Sequence, residues 1–169
     1  MRSFAHATAV GGLFLATTPA LAQAPVAECE QYDQVVEAAP KGFLAYRRST
    51  IRDGVHRAYV PAWGDCTIVE NVDLQMVCAG LPLNEEAANG KMTSKAEDLQ
   101  RCFPGWSVAP PVAVDGPGTI LQGIRFTRYQ QGGSVTVGVL LAELPEKSDL
   151  RFRLVFGVVF KPEKNANIG

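Results

Sequence analysis

The segment that most constrains this chain is its C-terminal third. Leu150, Phe152, Leu154, Phe156, Val158 and Phe160 occupy every second position, with Arg151 and Arg153 between the first of them. Side chains along a strand point alternately to its two faces, so this stretch has one face to bury and one to leave in water. A helix would scatter these residues around its axis, because its faces repeat near every 3.6 residues. Residues 120–129 and 134–144 read as two further strands, divided by the turn Gln130-Gln131-Gly132-Gly133. An antiparallel meander with a single buried face follows. Other elements must cover that face.

Two helical segments are available. In 28–39, Tyr32, Val35, Val36 and Ala39 fall on one helical face, with Glu28, Glu30 and Asp33 near the positive end. Pro40-Lys41-Gly42 ends it. Further on, Asn84-Glu85-Glu86 is an N-cap followed by first-turn acids. Asn89-Gly90 is expected to interrupt this helix. The capping-box pattern Ser94-Lys95-Ala96-Glu97 is expected to restart it, with Ala96, Leu99 and Phe103 as the buried stripe.

Between the helices, 55–60, 65–71 and 72–79 predict three strands, while 49–54 reads as a polar turn and 43–46 fits either a strand or a helical turn. A hairpin centred near Val72 would set Cys66 opposite Cys78, Ile68 opposite Met76 and Glu70 opposite Leu74. Residues 107–118, rich in proline, read as an extended connector. The expected fold is α+β: a mostly antiparallel sheet of about six strands, three and then a three-strand meander, with two helices packed on one face. It is expected as one domain over 23–163 with a flexible tail at 164–169. No internal repeat is visible.

The N-terminus reads as an export signal. Arg2 is followed by the apolar run 7–16, Pro19, and the small-residue site Ala20-Leu21-Ala22, so cleavage is expected after Ala22. The run is too short to span a membrane, which takes about 20 residues. Glu28 before Cys29 spoils a lipid-attachment motif. The expected location is periplasmic or secreted, with no transmembrane segment in the mature chain. In such a chain the four cysteines, Cys29, Cys66, Cys78 and Cys102, read as two disulfides. Zinc is the weaker reading, because no C-x-x-C pair occurs. Pairing Cys66 with Cys78 leaves Cys29 with Cys102; the other two connectivities stay open, Cys29–Cys66 with Cys78–Cys102 being nearly as attractive.

Catalytic patterns are scarce. His56 is the one histidine outside the signal, so any Ser-His-Asp or Cys-His site would have to include it. Its default is a strand-surface residue. Gly105-Trp106-Ser107-Val108-Ala109 lacks the final glycine of a nucleophile elbow and follows a helix. No metal motif and no phosphate loop is present, so no cofactor is expected. A formal charge of −1 argues against nucleic acid. The stretch 119–164, however, holds seven basic and four acidic residues. Arg125 and Tyr129 share one face of their strand, and Arg151 and Arg153 share one face of theirs. If those faces coincide they form a basic patch for an anionic ligand or an envelope protein.

The element order is similar to that of type III secretion chaperones, small α/β proteins that bind extended partner segments. Cys66 and Cys78 on adjacent strands, with Cys102-Phe103-Pro104-Gly105-Trp106 ending a helix, resemble small exported Gram-negative proteins of unknown function. Neither resemblance implies a functional residue. The expected role is a non-enzymatic binding or interaction module of the cell envelope. The alternative is a small periplasmic hydrolase acting on cell-wall or glycan substrates.

Overall fold

The structure is a computed structural model that describes residues 26–109, 119–145 and 148–163. The expected signal at 1–22 and the expected tail at 164–169 lie outside the described residues. Helix α1 (Val26–Ala38) leads through 3-10 turns at Ala39–Lys41 and Leu44–Tyr46 into four strands. These are β1 (Arg47–Arg52), β2 (Val55–Val60), β3 (Gly64–Glu70) and β4 (Leu74–Ala79). Helix α2 (Glu85–Cys102) then precedes β5 (Ser107–Ala109), β6 (Thr119–Gln130), β7 (Gly133–Glu143) and β8 (Phe152–Pro162).

All eight strands join one sheet in the order β1-β2-β3-β4-β8-β7-β6-β5, every neighbouring pair antiparallel. The order is palindromic: a helix and four strands, then a helix and four strands, meeting at the β4–β8 seam. The fold class is α+β as expected, but the sheet has eight strands and not six. The two additional strands are its edges. β1, expected as a turn over most of its length, is exposed from Arg48 onward, and β5 is three residues long. Neither has a buried face, so neither shows the alternation by which strands are read.

Both helices cover the same sheet face. Tyr32, Val35 and Val36 of α1 and Ala88, Met92 and Leu99 of α2 enter one core with Ile68, Met76, Phe126, Val137, Val139, Phe156 and Val158. Tyr32 and Trp63 lie against the Phe156 ring at 5.6 and 4.6 Å between centroids. Trp106 packs at 4.6 Å on Phe103. The predicted hairpin register appears in full, with Cys66 opposite Cys78, Ile68 opposite Met76 and Glu70 opposite Leu74.

Two other expectations are corrected. α2 runs unbroken through Asn89-Gly90, and Ser94 sits inside it. A glycine costs a helix about 1 kcal/mol. Met92, 5 % exposed, continues the buried stripe from Ala88 toward Leu99 and offsets that cost. Asn84 caps the start, its side chain accepting from the Ala87 N–H at 2.9 Å. Leu150, expected on the buried face, lies before β8 and is 54 % exposed.

Two cysteine pairs stand at disulfide distance, Cys66–Cys78 across β3 and β4 and Cys29–Cys102 between the helices. Among the described residues no helix is long and apolar enough to cross a membrane.

Candidate functional site

Three places gather polar side chains. The first is at the β1 edge. Arg47 donates through Nε (3.1 Å) and a terminal nitrogen (2.9 Å) to the Gly42 carbonyl, and its guanidinium also pairs with Glu70. Gly42 has φ +66, and a Cβ there would stand 2.9 Å from that guanidinium, so glycine suits the position twice over. His56 joins the pair: its Nε2 is 3.3 Å from the second Glu70 oxygen and its Nδ1 is 3.1 Å from the Thr50 hydroxyl. The same Nε2 stands 3.4 Å from the Arg47 guanidinium, which only donates, so it lies between a donor and an acceptor and these contacts fit either tautomer.

Hydroxyl, imidazole and carboxylate in line is the arrangement that activates a nucleophile. Here, however, Arg47 shares the carboxylate and ties it to the backbone at Gly42. The row therefore joins β1, β2 and β3 at their helix-facing side. His56, read from sequence as a surface residue, has only 13 % of its side chain exposed. Its partners Arg47, Thr50 and Glu70 were not legible, because β1 was not.

The second place is between the helices. Lys95 of α2 donates to Glu28 of α1 at 2.6 Å and lies 3.5 Å from Asp98. Asp98 is 8 % exposed and also pairs with Arg101. Burial pulls the Lys95 pKa down, but its hydrogen bond to Glu28 and the Glu28 and Asp98 carboxylates outweigh it and hold the ammonium above its ordinary range. Burial likewise pushes the Tyr32 phenol up, so it stays protonated. The Tyr32 hydroxyl and Trp63 Nε1 are buried without a hydrogen-bond partner in good geometry. The cluster fastens α1 to α2 beside the Cys29–Cys102 bond.

The third is the sheet face opposite the helices, which none of the described elements covers. Strand parity puts Arg57, Tyr59, Asp65, Val77, Arg125, Tyr129, Arg153 and Lys161 there, since their neighbours Ala58, Cys66, Cys78, Phe126, Leu154 and Phe160 enter the core. Arg48 reaches the same face, its guanidinium 4.4 Å above the Tyr59 ring. Of the four residues singled out from sequence, Arg125, Tyr129 and Arg153 therefore share a face. Arg151 lies just before β8, where it donates to Glu143 at 2.7 Å and covers the Phe152 ring.

The three that share the face are spread along it. Arg125 pairs across Gly138 with Gly157, Tyr129 pairs across Ser134 with Lys161, and Arg153 pairs with Ala142. Arg153 and Lys161 are thus about 26 Å apart at strand rise. The Arg153 Nε is buried with no hydrogen-bond partner. Lys161 has Asp73 at 3.8 Å. Sequence reasoning passed over Arg57, which follows from alternation in 55–60, and Lys161, which lies one residue past the expected 150–160 strand.

No group of three or more metal-ligating side chains occurs among the described residues. No protein-family model, no curated protein and no solved structure matches the chain.

Proposed function

We propose that this chain is a non-enzymatic binding module of the cell envelope, and that the uncovered sheet face takes an anionic partner. One observation carries the reading. That face presents Arg48, Arg57, Arg125, Arg153 and Lys161 against Asp65 and the rim residue Asp73. Such an excess of one sign on one surface raises the local concentration of the opposite sign and speeds encounter. Two disulfides agree with an oxidising compartment.

The alternative, a small hydrolase on cell-wall or glycan substrates, would rest on the Thr50–His56–Glu70 row. Arg47 already holds that carboxylate, which keeps this reading second.

The test is salt elution from an immobilised sulfated polysaccharide. The double variant Arg57→Gln/Lys161→Gln should elute at clearly lower salt than the parent. Lys91→Gln/Arg101→Gln, which removes two charges from α2, should elute with the parent. Equal elution of all three proteins would remove the sheet face from consideration.

A further inference from the structure

The anionic partner can be narrowed by how charge is distributed through the molecule. Helices α1 and α2 together hold eight acidic and three basic side chains, a balance of −5. The eight strands hold eight basic and three acidic, a balance of +5. Two of those bases, Arg47 and Arg128, turn to the helix side, while Arg48, Arg57, Arg125, Arg153 and Lys161 stand on the uncovered face of a nearly neutral chain whose helix layer is acidic. Near any negative surface the sheet is drawn in and the helices are turned away.

The basic groups do not converge. Arg57 and Arg125 lie at the two ends of one cross-strand row, Arg57–Thr67–Val77–Gly157–Gly138–Arg125. Five strand spacings separate them, about 24 Å. Arg153 and Lys161 are as far apart along β8. A folded partner would have to place a carboxylate at each point. A fluid bilayer moves its headgroups laterally to meet each cation.

The ground between the cations also suits a bilayer. Val77 is 37 % exposed, and Val155, Val159 and Leu140 are half-buried on the same face. Tyr59 and Tyr129 stand near its margins, Tyr129 being 82 % exposed. Tyrosine rings favour the headgroup level, and arginine and lysine stems can lie along apolar surface while their charge stays wet.

From this we infer that the partner is an anionic lipid surface, met sheet side down, with the chain bound peripherally. The inference rests on the sheet face being the anion-binding surface. The experiment is co-sedimentation of the oxidised protein with vesicles. One set is phosphatidylcholine alone, and the other contains about one-third phosphatidylglycerol, so that its surface is anionic.

Binding to the anionic vesicles alone is expected, with release as salt rises from about 0.05 to 0.5 M. Arg57→Gln and Lys161→Gln should each weaken partition about fivefold, and Lys91→Gln on α2 should leave it unchanged. Equal binding to both vesicle types would overturn the inference, as would loss of binding through Lys91→Gln and not through the sheet variants. A protein that ignores vesicles, yet is held on the sulfated polysaccharide through Arg57 and Lys161, would sink the lipid assignment and keep the anion-binding face. Failure on both supports would end both readings.

Discussion

The two halves of the sheet have the same layout and are held together differently. In the first, α1 with β1–β4, the strands are six or seven residues long, and the edge carries Arg47, His56 and Glu70 on the helix-facing side. In the second, α2 with β5–β8, the three inner strands run for eleven or twelve residues. On β7 and β8 the covered face is Val135, Val137, Val139 and Leu141 beside Phe152, Leu154, Phe156, Val158 and Phe160. Both halves enter the one apolar core, but the first adds a polar clamp at its edge and a cross-strand Cys66–Cys78 bond. Short strands bury too little surface to hold an edge by packing alone, whereas long ones do not need a clamp.

That contrast can be broken by substitution. The largest effect is expected in the packed half. Phe156→Ala empties the site where Tyr32 and Trp63 meet, and should cost about 4 kcal/mol in urea unfolding. A loss below about 1 kcal/mol would mean that β8 is not held to the first half by packing as described.

Next is the linked half. Replacing Cys66 and Cys78 together by Ala removes a cross-link over 12 residues of sequence separation. In the chain-entropy picture that costs about 3 kcal/mol. An unchanged midpoint would show that β3 and β4 hold register through side-chain pairing without it.

The smallest effect should come from Glu70→Gln. Its side chain is 30 % exposed, so the loss of the Arg47 pair, discounted for solvent screening, should cost about 1 kcal/mol. It should also speed amide hydrogen exchange in β1 and β2 and leave β6–β8 alone. Faster exchange throughout would place the clamp in the common core and dissolve the distinction.

The halves also differed in how far they could be read in advance. β7 and β8 were legible because a half-buried strand writes its geometry as alternation. The β3–β4 hairpin was legible because Cys66, Ile68 and Glu70 mirror Cys78, Met76 and Leu74 about the turn. β1 and β5 left no such trace, since an edge strand exposed on both faces places no demand on which positions are apolar. The unbroken α2 was missed for a related reason. Gly90 speaks locally, whereas Ala88, Met92 and Leu99 are set by the core they enter. With β1 hidden, the Arg47–Glu70–His56 contacts were hidden too, because they join residues 9, 14 and 23 positions apart. The topological repeat has no counterpart in the sequence, since the two halves share an order of elements and not a pattern of residues.

The palindromic strand order gives the Cys29–Cys102 bond a second consequence. Where two similar halves meet at one seam, two chains can trade halves across β4–β8 and keep every pairing within each half. Such an exchange needs α1 to leave α2 of its own chain. Cys29 lies on α1 and Cys102 at the end of α2, so the bond between them ties each helix to its own partner. Once formed within one chain, the bond holds that chain's two halves together even if the β4–β8 pairing opens.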